Sequence, residues 1–198
     1  MLFALIMSAG AWAHPTPPAP RGAALSAQPS LSVIRSAPDF ELADTDGRLV
    51  RLANYRGRVV LIAFIYSTCT DACPLLTHQM AQLQAMLKVA GVFPRRTAFV
   101  SVSVDPQRDT AEVLARYSDK FSVDRAGWSF LTDRPERTEP ALRAYGEWTK
   151  PLAGGSLDHP ARVHLIDSHG KVREIYSLAF FDARQAYLDI QALLAEPQ

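Results

Sequence analysis

Val59-Val60-Leu61-Ile62-Ala63-Phe64-Ile65-Tyr66-Ser67-Thr68-Cys69-Thr70-Asp71-Ala72-Cys73-Pro74 is the stretch whose reading decides the fold. Its first eight residues form a continuous apolar run, preceded by the turn residues Asn54-Tyr55-Arg56-Gly57. That length and setting fit a strand buried on both faces. From Pro74 to about residue 90 the period changes: Leu76, Met80, Leu83 and Leu87 recur at helical spacing, with Gln79, Gln82 and Gln84 between them. Pro74 suits the first turn of a helix, where a missing N–H costs nothing. A second buried-strand run follows at Ala98-Phe99-Val100-Ser101-Val102-Ser103-Val104. Strand, helix, strand in this order is a βαβ unit with parallel strands.

Upstream, Phe40-Glu41-Leu42 and Leu49-Val50-Arg51-Leu52 alternate around Asp44-Thr45-Asp46-Gly47, a hairpin signal. Downstream, residues 110–121 read as a helix entered through Asp109 as N-cap, with Val113, Leu114 and Tyr117 apolar. A short strand at Trp128-Ser129-Phe130-Leu131 and a helix over 139–148, carrying Leu142, Tyr145 and Trp148, come next. Val163-His164-Leu165-Ile166-Asp167 and Val172-Arg173-Glu174-Ile175-Tyr176 flank Ser168-His169-Gly170, an antiparallel hairpin. A last helix spans 182–195. The pattern is α/β: a mixed central sheet flanked by helices on both faces, with an N-terminal hairpin.

The 198 residues favour one domain with terminal extensions. With 48% hydrophobic and 21% charged residues, a sizeable core forms without staples. A net charge of +1 gives no electrostatic footprint for nucleic acid or another polyanion. At the N-terminus, Leu2-Phe3-Ala4-Leu5-Ile6-Met7 opens a short apolar stretch closed by Ala11-Trp12-Ala13, an A-x-A pattern. Residues 1–13 therefore read as a signal peptide and the protein as periplasmic or otherwise exported. No Lys or Arg follows Met1, so a start further upstream or a truncated membrane anchor stands as the alternative. His14-Pro15-Thr16-Pro17-Pro18-Ala19-Pro20 opens a Pro/Ala-rich linker over 14–36, which leaves 37–198 as the folded domain, a monomer by default.

The only two cysteines, Cys69 and Cys73, lie just past the carboxyl end of the buried strand and at the start of the helix. Functional groups gather at that edge of open α/β sheets. A helix N-terminus stabilises negative charge and so favours a thiolate. On a helical backbone, positions i and i+4 share a face, so both sulfurs can point to one spot. Three readings stand side by side. A structural disulfide is common in exported chains, although it would close a very small loop in a core that does not need it. A redox dithiol usually carries two intervening residues, where this chain has three. A soft-metal site of two thiolates, completed by a neutral imidazole, suits copper(I).

At these residues the sequence resembles the Sco, or SenC, family of exported copper-binding proteins with a thioredoxin-like fold. The family's C-x-x-x-C-P motif after a buried strand is matched by Cys69 to Pro74. Its distant histidine before a later strand is matched by Asp158-His159-Pro160-Ala161-Arg162-Val163. Val104-Asp105-Pro106-Gln107-Arg108-Asp109-Thr110 is similar to its D-P-x-x-D-T segment, and Trp128-Ser129-Phe130-Leu131-Thr132 to its W-x-x-L-T stretch. The resemblance covers residues 38–195 and departs at Thr70, where Pro is usual, and at Pro160, where Ser is usual. Pro160 removes a backbone donor beside His159 and admits a cis bond.

The resemblance implies a copper metallochaperone that matures the binuclear copper site of a respiratory cytochrome oxidase. Cys69, Cys73 and His159 would be the ligands of one Cu(I) or Cu(II) ion. It implies the oxidase's copper-site subunit as partner, with another periplasmic copper donor upstream. The alternative is a periplasmic thiol–disulfide reductase acting on the oxidase cysteines, with Cys69 and Cys73 as catalytic thiols. A peroxidase is a third reading, since Thr70-Asp71-Ala72-Cys73 is similar to T-x-x-C of peroxiredoxins, which expect Pro where Tyr66 stands.

The other histidines read as bystanders. His164 faces the opposite side of its strand, His169 sits in a turn, His78 is rotated off the sulfur face, and His14 lies in the linker. Asp71 reads as a helix cap, Asp158 as an acceptor that orients His159 or a plain turn residue, and Asp105-Pro106 as a turn start. Trp128, Tyr145 and Trp148 read as packing residues.

Overall fold

The structure is a computed structural model that describes residues 30–197; the signal-peptide reading of 1–13 and most of the 14–36 linker, His14 included, lie outside it. The chain runs β1 Arg35–Ser36, β2 Glu41–Asp44, β3 Leu49–Arg51, β4 Val59–Ile65, α1 Ala72–Val89, β5 Thr97–Ser103, α2 Ala111–Asp119 and β6 Trp128–Thr132. It continues with α3 Pro135–Ala144, β7 Lys150–Pro151, β8 Leu157–Asp158, β9 Arg162–Ile166, β10 Lys171–Ser177 and α4 Ala183–Ala195.

Eight strands form one sheet in the order β1-β10-β9-β4-β5-β6-β2-β3, and β7 and β8 form a separate two-stranded ladder. β4, β5 and β6 are parallel; β9 joins β4 antiparallel on its other side. Both β4 and β5 are buried at every position: β4 as its unbroken apolar run requires, and β5 with Thr97, Ser101 and Ser103 buried among its apolar residues. The pairing of Ile65 with Ser103 and of Ala63 with Val163 brings the end of β4, the end of β5 and the start of β9 to one edge of the sheet. α1 turns Leu76, Met80, Leu83 and Leu87 into the core, packs against α4, and places its N-terminus at that same edge. The architecture is the mixed, helix-flanked α/β sheet that the sequence pattern predicts.

Two boundaries differ from the sequence reading. α3 spans Pro135–Ala144, several residues earlier than 139–148, with Pro135 in its first turn and Pro140 inside it. Gly146, at φ +78, ends it, because that left-handed position favours glycine. Trp148 consequently lies outside the helix and is half exposed, unlike the buried Trp128 and Tyr145. Arg35 and Ser36, the last two residues before the expected domain start, pair with Val172 and Lys171 as an edge strand.

Candidate functional site

Three segments meet at the sheet edge: the loop leaving β4, the first turn of α1, and the segment that enters β9. The loop is clamped from below. Ser67 donates its N–H to both oxygens of Asp109, at 3.2 Å each, and its Oγ also donates to that carboxylate. Ser103 Oγ, at the end of β5, donates to the same carboxylate at 2.6 Å. Asp109 is fully buried, and burial pushes its carboxyl up while these donors pull it down. It is therefore not the N-cap of α2. Thr110 takes that place, its Oγ1 accepting from Val113 N at 3.3 Å. A carboxylate set between two serines satisfies more buried donors than one at a solvated helix end.

Cys69 lies in the loop and is partly exposed, whereas Cys73 is the second residue of α1 and 2% exposed; both are free thiols. Their convergence comes from the turn and not from helical i, i+4 spacing, because Cys69 precedes the helix. The Cys73 N–H donates to Cys69 Sγ at 3.3 Å. Asp71 occupies the N-cap position without a side-chain cap bond, so the sulfur satisfies a helix-end amide that a cap residue normally takes. Hydrogen bonding from the Cys73 thiol outweighs burial and, helped by the backbone N–H groups of Cys73 and Asp71, lowers the Cys69 pKa to about 5. The same bond, together with burial, pushes the Cys73 thiol up well beyond the ordinary range. At neutral pH the pair is thus one thiolate and one thiol, titrating together.

His159 stands just before β9 with its side chain 5% exposed. Tyr66 meets the ring edge-on at 5.7 Å between centroids. Tyr66 Oη donates to Leu157 O at 3.1 Å and accepts from Leu157 N at 3.2 Å, which ties the histidine segment to the end of β4. A second tie runs through Arg108, which pairs with Asp105 and donates to Gly155 O at 2.6 Å. The His159–Pro160 bond is trans; the cis bond among the described residues is Phe93–Pro94. Ala161 adopts φ +49, left-handed backbone that a side chain disfavours, and its N–H donates to His159 Nδ1 at 3.2 Å.

Cys69 and His159 line one open cleft of about 430 Å³ together with Tyr66, Leu157, Pro160 and Leu178, and Cys73 lies behind the Cys69 sulfur. No three His, Cys, Asp or Glu side chains among the described residues are gathered closely enough to hold a metal ion. Cys69 and His159 share this cleft, while the buried Cys73 is not among its lining residues, and the three are not drawn into a closed ligand set.

The residue that sequence reasoning missed is Glu147. Its side chain is fully buried, neither carboxylate oxygen has a hydrogen-bond partner, and Oε2 lies 3.7 Å from His159 Nδ1. An uncompensated buried carboxylate costs several kcal/mol, against about 1 kcal/mol for an ordinary neutral hydrogen bond. Asp158, the residue read as orienting the histidine, is exposed and pairs with Lys150 in the β7–β8 ladder. No spacing rule marks Glu147, since it lies off the Leu142, Tyr145 and Trp148 stripe of the expected helix; the glycine that ends α3 was the one available signal.

The remaining histidines stay out of the cleft. His78 is exposed and bonds Gln82, and His169 is exposed in its turn. His164 is fully buried between Phe64 and Tyr145, with both nitrogens unpartnered, and burial lowers its pKa to about 4.

A family model described as SCO1/SenC matches residues 30–195. The SCO1 protein homolog of Bacillus subtilis is 30% identical over 141 residues, covering 70% of this chain and 72% of that one. A SCO1/SenC family lipoprotein from Bacillus anthracis superposes with TM-score 0.73 at 28% identity, covering 81% of this chain and 95% of that one. Bradyrhizobium japonicum ScoI, solved with copper bound, gives TM-score 0.67 at 26% identity over 80% of this chain and 99% of that one. The chain spans about half the length of the bovine and human mitochondrial relatives it matches.

Proposed function

The chain belongs to the SCO1/SenC family, and on that footing we propose that it is an exported copper metallochaperone. It takes one copper ion as cargo through Cys69, Cys73 and His159 and passes it to the binuclear copper site of a respiratory cytochrome oxidase. The observation that carries this reading is the meeting of a stabilised Cys69 thiolate and His159 on one open cleft. The donor set suits the cargo, because thiolate and imidazole are the soft and borderline ligands that copper(I) prefers. The second thiol must lose its proton on binding, so uptake releases a proton and strengthens with rising pH. Three ligands would leave the ion open on the cleft side, where a partner's cysteines can take it over. Export is supported by the apolar stretch and A-x-A pattern of residues 1–13, with 14–36 as a spacer before the domain, and by a family relative described as a lipoprotein. No helix among the described residues is long and apolar enough to cross a membrane.

The test is copper binding by the reduced protein, read by metal content and thiolate-to-copper absorption. One tightly bound ion, lost in Cys69→Ala and in His159→Ala, is the expected result. Full affinity in His159→Ala would sink the three-ligand reading. One observation favours a second reading, a thiol–disulfide reductase acting on the oxidase cysteines: the split between a Cys69 thiolate and a protonated Cys73 is that of an attacking and a resolving thiol. Exchange with a disulfide substrate then survives His159→Ala and disappears in Cys69→Ala.

A further inference from the structure

We infer that Glu147 fixes the proton of His159 on Nδ1, so that Nε2 presents its lone pair to the cleft. The inference rests on the reading of His159 as a copper ligand and deepens it by naming a positioning residue. A neutral imidazole carries one N–H, and the nitrogen that bears it cannot ligate. Two groups compete for Nδ1. The Ala161 N–H donates to it at 3.2 Å, an arrangement that puts the proton on Nε2 and blocks that nitrogen. The Glu147 carboxylate, 3.7 Å away, needs a donor there.

The carboxylate is the stronger claimant. Both of its oxygens are buried and unpartnered, and His159 is the one cationic or imidazole side chain within 4 Å of them among the described residues. Arg143, which lines a cleft with Glu147, and Arg162, which donates to Gly146 O, form no ion pair with it. A hydrogen bond to an ionised acceptor is roughly twice as strong as a neutral one. Closing the gap to a normal N–H···O⁻ distance takes a movement of about 0.9 Å. The backbone around Glu147 gives the carboxylate no other purpose. Gly146 N bonds Arg143 O at 3.0 Å and Glu147 N bonds Leu142 O at 2.9 Å, which is the hydrogen-bond pair of a Schellman helix end. The residue in Glu147's place in that motif normally inserts an apolar side chain. A buried carboxylate at a position that the motif usually gives to an apolar side chain, 3.7 Å from an imidazole, is placed as the outer part of a carboxylate–histidine–metal arrangement.

The test uses the reduced, metal-free protein and two-bond ¹H–¹⁵N spectra of its histidine rings, with His159→Ala assigning the signal. The wild type is expected to show the Nδ1–H tautomer. Glu147→Leu, which suits the usual apolar preference of this motif position, is expected to move His159 to the Nε2–H form and weaken copper binding about 10- to 100-fold. Glu147→Gln keeps an acceptor oxygen and should rescue the Nδ1–H tautomer and most of the affinity. An Nε2–H tautomer in the wild type overturns the inference without any variant, as does unchanged copper affinity in Glu147→Leu. Copper affinity that survives His159→Ala defeats the ligand reading instead, which the tautomer spectra distinguish.

Discussion

The two walls of the cleft are held by opposite means. The cysteine wall is built into the core: Ser67 is locked by Asp109, Ser103 completes the clamp, and the first turn of α1 supplies the amides that steady the Cys69 sulfur. The histidine wall follows a run, residues 148–156, that is exposed throughout and contains only the first strand of a two-residue ladder and a single 3-10 turn, Ala153–Gly155. Its recorded side-chain ties to the rest of the site are Tyr66 to Leu157 and Arg108 to Gly155. The thiolate is therefore prepared by the fold before any ligand arrives, while the imidazole depends on a few local contacts. Segments with few buried contacts open at low free-energy cost.

Perturbing the cysteine wall should give the larger effects. Alkylation of Cys69 is expected to titrate with a midpoint of about 5, far below the ordinary thiol value of about 8.5. Cys73→Ala removes the largest cause and should carry the midpoint back toward that ordinary value; an unmoved midpoint would assign the thiolate to the backbone amides instead. Because the folded-state pKa is depressed, the thiolate's contribution to stability is complete above about pH 8.5 and lost as pH falls through the folded value. Asp109→Ala strips an acceptor from the buried Ser103 and the half-buried Ser67, and urea denaturation should show a loss of about 2–4 kcal/mol.

The histidine wall should respond more weakly. Tyr66→Phe removes both bonds to Leu157, and a loss of about 1–2 kcal/mol is expected. It should reduce copper affinity while moving the Cys69 alkylation midpoint little; equal changes in both would mean that the walls are one unit. Ala161→Gly relieves a left-handed backbone position, and a net gain below about 1 kcal/mol is expected in thermal melts.

The same contrast divides what the sequence revealed. The cysteine wall was legible because β4, α1 and β5 carry strong apolar periods and the motif sits at their junction. His159 was found through its motif context, since a lone histidine carries no periodic signal. Asp109 was placed one residue out of role, because an Asp-Thr pair at a helix start offers two caps and only tertiary packing selects between them. The limits of α3 were misjudged because Leu142, Tyr145 and Trp148 keep a helical rhythm across Gly146, where backbone conformation overrides side-chain pattern. Glu147 was invisible for a related reason: its burial follows from how α3 ends against β9, and nothing local encodes that.

The position of β4 in the sheet has a consequence for the order of events as the chain matures. One neighbour, β5, follows β4 after a single helix; the other, β9, arrives only after two further helices and three further strands have been laid down. Pairings between distant segments form late, after the local ones that precede them. A chain in which β9 has not yet docked owns the reactive sulfurs but lacks the imidazole beside them. Such a chain is a thiol reagent and not a metal carrier, so under the three-ligand reading cargo is accepted only by molecules that have finished folding, and loading doubles as proofreading.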